Sequence, residues 1–375
     1  MRQSSLLALL CLHACAATSL SQSAPVQAAA KKVPPEPSLS WQDVTTWGVE
    51  GRAWTDLPRK RWFARLPEVA EGKVTGPVWS LSQDSTGMLV RFRTDAKSIW
   101  ADYALASEKV AQTNMAATGA SGIDLYARDD RGTWRWVGVT KPVTTKIKQP
   151  LLEGGVGGMR DYLAYLPLRN GIETLAIGVE EGAKFESLPP RAKKPIIFYG
   201  TSITHGISAS RPGITHPAIL GRHLDAPVIN LGFSGNGRMD AAVGELLGKV
   251  DAAIYVIDCL PNMNASEVRE KCPALVRQLR AAQPRTPILL VEDRRNTNAW
   301  ILPARDNHHT DNHAALRESF EALQKAGITD LHYLPGDHLL GDDSEAATDG
   351  SHPSDLGFMR QAAVFEPVLR KILGK

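Results

Sequence analysis

The chain has 375 residues, 43% hydrophobic and 22% charged, with a formal net charge of +3. That is the make-up of a globular protein with room for two cored domains. No Lys/Arg tract concentrates the small positive charge, which argues against nucleic acid as a partner, and the four cysteines form no Cys-x-x-Cys pair that would suggest a thiolate zinc centre.

Residues 1–30 read as an export signal. Arg2 supplies the positive start, Leu6 to Ala17 an apolar run too short to span a bilayer, and Ala28-Ala29-Ala30 small residues for cleavage. Leu12-His13-Ala14-Cys15 is a second possibility, a lipobox weakened by its histidine, with a lipid anchor on Cys15. Both imply a secreted or periplasmic protein without a membrane span. Residues 31–40 (KKVPPEPSLS) form a Pro-rich linker.

Residues 41–190 read as short strands divided by Gly, Asp and Asn. Gly87 to Arg93, Ser98 to Leu105, Ile123 to Arg128, Thr133 to Val139, Tyr162 to Leu168 and Thr174 to Val179 carry the period-two pattern of an antiparallel β-sandwich. The pattern changes at the Pro-rich connection Glu186 to Pro195. Residues 191–375 alternate continuous apolar runs (Pro195–Tyr199, Val228–Leu231, Ala252–Ile257, Pro287–Val291, Leu331–Leu334) with helices near Thr215–Leu224, Met239–Gly248, Ala265–Ala282, Asp311–Ala326 and Leu356–Leu373. Strands apolar on both faces suit a covered parallel sheet, and the alternation predicts a doubly wound α/β fold.

The residues with chemical potential fall at the ends of these strands. Gly200-Thr201-Ser202-Ile203-Thr204-His205 puts a serine where an open α/β sheet binds its ligand; read alone, Ser202 is equally a helix cap. Gly235, in a Gly-rich turn after the second strand, and Asn262, fixed behind Pro261 after the third, can offer N–H groups to an oxyanion. Asp349-Gly350-Ser351-His352 precedes the last helix, and an aspartate three residues before a histidine can reach its imidazole. Each of these signals is common by itself.

Together and in this order they resemble the sequence blocks of SGNH/GDSL hydrolases. The resemblance implies a flavodoxin-like α/β hydrolase domain, with Ser202 as nucleophile, His352 and Asp349 as its acid–base partners, and Ser202, Gly235 and Asn262 around the oxyanion. Gly122-Ile123-Asp124-Leu125-Tyr126 and Ala209-Ser210-Arg211-Pro212-Gly213 are similar to a branch that carries a β-rich domain ahead of the hydrolase. Gly-Thr-Ser replaces the usual Gly-Asp-Ser, and the third block lacks Gly-x-Asn-Asp, which makes Asn262 the softest match. The resemblance implies no cofactor and an ester substrate, with small acyl groups on carbohydrate favoured. A lipase or thioesterase, or a non-catalytic carbohydrate-binding protein with this fold, is the alternative.

Other candidates stand beside these blocks. His205, Arg211 and Glu292 are candidates for substrate contact, and Arg294 for lining the pocket. His309 and His313 can share a helix face like zinc ligands, but a helix start with solvated histidines is the reading preferred, and no metal is expected. Cys259 and Cys272 can be bonded or separately buried. Asp124 and Tyr126 are assigned to the sandwich and its turns, and Trp54, Trp62, Trp79, Trp134 and Trp136 to core packing rather than a sugar platform.

Overall fold

The computed structural model describes residues 38–375. The expected signal, Cys11, Cys15 and most of the linker lie outside the described residues. The linker's last positions do not: Leu39–Asp43 is already a strand, β1. The remaining strands of the first region are β2 (Leu89–Thr94), β3 (Ile99–Leu105), β4 (Asp124–Arg128), β5 (Trp134–Val139), β6 (Lys146–Leu152), β7 (Arg160–Tyr165), β8 (Ile172–Glu180) and β9 (Phe185–Leu188).

They form two sheets, in the orders β1-β8-β3-β6 and β5-β4-β7-β2-β9, with every pairing antiparallel. Side chains alternate faces along a strand. Val90, Phe92, Tyr162 and Ala164 of one sheet therefore meet Ile99, Tyr103, Leu175 and Ile177 of the other in a shared core. The opposite face of the second sheet is apolar too, where Leu89, Tyr126, Leu163 and Tyr165 pack on Ala218. β1, β6 and β9 were not expected from the sequence. All three are edge strands, and Pro150 interrupts the pattern of β6, a residue that edges tolerate.

The second region has five parallel strands, β10 (Ile196–Gly200), β11 (Val228–Gly232), β12 (Ile254–Asp258), β13 (Ile288–Val291) and β14 (Leu331–Leu334), in the order β11-β10-β12-β13-β14. Its helices, numbered after the short α1 (Gly76–Leu81) and α2 (Ala117–Ala120), are α3 (Ser202–His205), α4 (His216–His223), α5 (Ala241–Leu247), α6 (Ala265–Ala282), α7 (Pro303–Lys325) and α8 (Asp355–Leu373). One sheet face, with Ile197, Tyr199, Tyr255 and Ile257, packs on α5, α6 and α7. The other, with Ile196, Phe198, Ile254 and Val256, packs on α4 and α8. Both faces are buried, which accounts for the uninterrupted apolar runs.

Helix α7 starts at Pro303, eight residues before the expected Asp311. Its hidden face carries His309, Asn312 and His313, all buried, so a polar inward stripe disguises the amphipathic pattern. Residues 38–375 form one compact unit. None of their helices is long and apolar enough to cross a membrane. Cys259 and Cys272 are both buried and free, which settles their pairing against a disulfide.

Candidate active site

Strand β10 delivers Ser202 to the carboxyl edge of the parallel sheet. Gly200 is required there, because a Cβ would fall 2.1 Å from Thr204 Oγ1 and 2.7 Å from Asp258 O. Thr201 caps the single turn α3 through Ile203 N, and Gly206, at φ 98°, ends it. The turn holds Ser202 almost fully buried, 8% exposed.

His352 Nε2 lies 2.9 Å from Ser202 Oγ. Its Nδ1 lies 2.8 Å from Asp349 Oδ2. A carboxylate can only accept, so Nδ1 carries the proton and Nε2 presents a lone pair to the serine hydroxyl. Asp349 Oδ1 accepts the backbone N–H groups of Ser351 (3.1 Å) and His352 (2.8 Å), which folds the loop into a tight Asx turn. A hydrogen bond from Thr348 N to His352 O, 2.8 Å, closes its base. Partial burial raises the carboxyl's pKa, but the backbone and ring hydrogen bonds of His352 and the Asn114 amide outweigh it and hold Asp349 well below the usual carboxylate range.

The turns on either side of β10 hold the two other expected residues. Gly235 sits at φ 72° in the turn after β11, and its N–H has no acceptor among the described residues. Asn262 lies in the turn after β12, behind Pro261. Its amide makes no hydrogen bond among the described residues, although its Oδ1 is buried. With the Ser202 N–H at the start of α3, the sheet edge thus carries three donors that the protein leaves unused. Such donors suit an oxygen that gains negative charge during reaction.

Two residues support the histidine loop: Asn114, which sequence reasoning missed, and Arg294, which was expected only to line the pocket. Asn114, between β3 and β4, donates its side-chain amide to Asp349 Oδ2 at 3.1 Å. No motif marks it; the contact spans 235 positions. Arg294, at the end of β13, donates Nε to Ser351 O at 3.0 Å and reaches the Ser351 hydroxyl as well. Its place after a strand end was the signal available for it.

The side chains of the three residues expected at the substrate are engaged by other protein groups. His205 is fully buried beneath Ser202, with Nε2 at Leu168 O (2.7 Å) and 3.4 Å from Asp84. Burial, aided by Arg65, pushes its pKa down to about 4. The helical turn points it inward. Arg211 instead bonds Asp124 (3.2 Å) and the Tyr126 hydroxyl. Asp124 also accepts Gly213 N (2.7 Å) and Trp136 Nε1 (2.8 Å), so the Gly-x-Asp-Leu-Tyr segment clamps the loop after the nucleophile onto the antiparallel region. Glu292 turns away from the loop to accept from Gly336 N (2.8 Å), Arg317 (2.9 Å) and Tyr333.

His309 and His313 are not solvated, contrary to expectation; they enclose Asp293 in a buried cluster with metal-like spacing. Three of the four ring nitrogens are nevertheless taken by hydrogen bonds, and the fourth, His313 Nδ1, lies 3.3 Å from Glu292. Asn296 N–H donates to His309 Nε2 at 3.1 Å, which leaves the proton on Nδ1 to bond Asp293 Oδ2 at 2.6 Å. His313 Nε2 faces two acceptors, Asp293 O (2.9 Å) and Oδ1 (2.8 Å), and so carries a proton. Burial pulls the His313 pKa down, but Asp293 and Glu292 raise it on balance. This arrangement anchors Asp293, and through it Arg294 (3.3 Å). Of the tryptophans, Trp54 is core and donates to Leu246 O at 3.0 Å, while Trp136 is half exposed.

A sequence model of the GDSL-like lipase/acylhydrolase family matches residues 193–370, and one for the N-terminus of SGNH-hydrolase-type esterases matches residues 39–185. No match was found among curated proteins. A crystal structure of a Bacteroides ovatus protein assigned as a GDSL-like lipase is 30% identical, with TM-score 0.85 over 90% of this chain and 98% of that one. A salicylyl-acyltransferase from a tetracycline biosynthetic pathway (18% identity, TM-score 0.66, 90% and 96% covered) shares the fold. So does a family two carbohydrate esterase from Cellvibrio japonicus (13% identity, TM-score 0.57, 90% and 98% covered). The two family matches and the 30% identical structure place it in a known group: the chain belongs to the GDSL-like lipase/acylhydrolase family of SGNH-type hydrolases.

Proposed function

We propose that this protein is an exported serine esterase that removes small acyl groups, acetyl above all, from carbohydrate hydroxyls. The observation that carries the catalytic part is the continuous relay Ser202 Oγ–His352 Nε2 (2.9 Å) and His352 Nδ1–Asp349 Oδ2 (2.8 Å). In the first step His352 Nε2 takes the hydroxyl proton while Ser202 Oγ bonds to the ester carbonyl carbon. The carbonyl electron pair moves onto oxygen, where the Ser202 and Gly235 N–H groups and the Asn262 amide stabilise it. Collapse expels the alcohol, which takes the proton from His352. Water then repeats the sequence on the acyl-serine and releases the acid. Asp349, ionised throughout, keeps the imidazole in its working tautomer and stabilises the transient imidazolium.

The substrate part rests on less specific support. The loop Ile207–Thr215, where a lipid-covering flap would be expected, is short and clamped by Asp124 and by Asp355, which accepts Ser210 N at 2.9 Å. A carbohydrate esterase shares the same two-part fold. The apolar start of the chain supports export. Hydrolysis of p-nitrophenyl acetate, butyrate and octanoate tests the acyl preference. Turnover falling sharply from acetate to octanoate supports this reading, and a preference for octanoate replaces it with a lipase.

A further inference from the structure

Beside the proposed reacting groups, the edge of the parallel sheet opens into a cavity of about 360 Å3. Two of its walls are Pro261 and Ser351, the chain neighbours of Asn262 and His352. The others include Arg294, Asn296, Arg305 and His308. A space of this size exceeds the needs of an acetyl group, so next to the turns that carry Asn262 and His352 it suits the alcohol side of the ester.

Its one unpaired charge is positive. Arg294 and Arg305 both line it, and Asp293 is the one carboxylate on the same wall. Asp293 is already committed to Arg294, His309 and His313. Arg305 is exposed in the first turn of α7 and makes no ion pair among the described residues. Arg294, its pKa lowered by burial, is supported by Asp293, Asp258 and Asp349 and feels Arg305 only after them, so Arg305 is the guanidinium that stands without a partner. His308 Nε2 accepts from Asn312 Nδ2 at 3.2 Å, which leaves its Nδ1 as a donor. A neutral sugar would leave Arg305 unpaired, whereas a carboxylate, which guanidinium binds in a two-pronged geometry, would pair with it.

We infer that this cavity takes a carboxylate on the alcohol side, so that the substrate is an acyl ester of a uronic-acid saccharide with its carboxylate held by Arg305. The inference rests on the esterase reading above and narrows it.

The test compares kcat/KM for an acetylated glucuronoside with that for the matching acetylated glucoside. The wild type is expected to favour the glucuronoside roughly tenfold or more, the scale of one charge-assisted contact, and salt should erode the preference. Arg305→Gln should bring the ratio near one, and Arg305→Glu below it. Both variants alter an exposed side chain, and circular dichroism verifies their folding. A wild-type ratio near one, or a ratio that survives both substitutions, overturns the proposal. So does faster turnover of an acetylated glycerophosphate, which would give the cavity to a phosphate. Failure of the parent reading looks different: Ser202→Ala would still hydrolyse the neutral glucoside.

Discussion

Asn114 and His352 donate to the same oxygen, Asp349 Oδ2, at 3.1 and 2.8 Å. With the two backbone N–H groups on Oδ1, the carboxylate receives four hydrogen bonds, one of them from the antiparallel region. That region therefore completes the histidine loop as well as packing against it. Asn114→Ala is expected to lower kcat by roughly 3- to 30-fold, the scale of one hydrogen bond to a charged group, with little change in KM. Asn114→Asp should be worse, because it sets a second negative charge against Asp349. Steady-state kinetics on both variants, with thermal melts to verify folding, check this; an Asn114→Asp enzyme as active as the wild type contradicts it.

The orienting role of Asp349 has its own signature. His352 must present a lone pair at Nε2 to accept the serine proton. Asp349 is held well below the usual carboxylate range and so keeps its charge against the imidazole. Asp349→Asn removes the charge that favours the imidazolium, and its amide can hold the wrong tautomer. The variant should lose roughly a hundredfold or more in rate, read from steady-state kinetics. An Asp349→Asn enzyme as fast as the wild type would reduce the relay to a Ser202–His352 dyad.

Asp258 ends β12 behind the nucleophile turn and accepts the Thr204 hydroxyl at 2.9 Å. Burial pushes its carboxyl up to about 7, against the pull of Thr204 and Arg294. An unfolded aspartate titrates near 3.8. Between those values the folded protein holds a proton that the unfolded chain has released, so this residue's contribution to stability falls as pH rises and levels off once both forms are ionised. Asp258→Asn keeps an acceptor for Thr204 and removes the titration. Its stability relative to wild type should therefore grow from pH 4 to pH 8 by an amount on the order of 1–4 kcal/mol. Melting curves at the two pH values measure it, and a constant difference rules it out.

What was legible beforehand followed from local pattern. β10 to β14 announced themselves as continuous apolar runs because both sheet faces are covered. Ser202, Gly235, Asn262, Asp349 and His352 could be picked out because all five sit in short blocks where those strands end or the last helix begins. Asn114 could not, since its role arises only when a loop of the antiparallel region meets a turn 235 residues away. His205 was misread because nearness in sequence to Ser202 suggests a shared surface, whereas one turn of helix sends it inward onto Leu168 O. His309 and His313 were misread because buried imidazoles paired with Asp293 look, as letters, like a solvated helix start.

The central claim is that Ser202 is the nucleophile, and an active-site-directed phosphonate tests it most directly. Incubated with the folded protein, the reagent should abolish hydrolysis of p-nitrophenyl acetate in step with its incorporation, and peptide mapping should place the adduct on Ser202. Ser202→Ala should fold, take up no label and turn over the ester about a thousandfold or more slowly. A label on another residue, or a folded Ser202→Ala protein that hydrolyses the ester at the wild-type rate, would contradict the account.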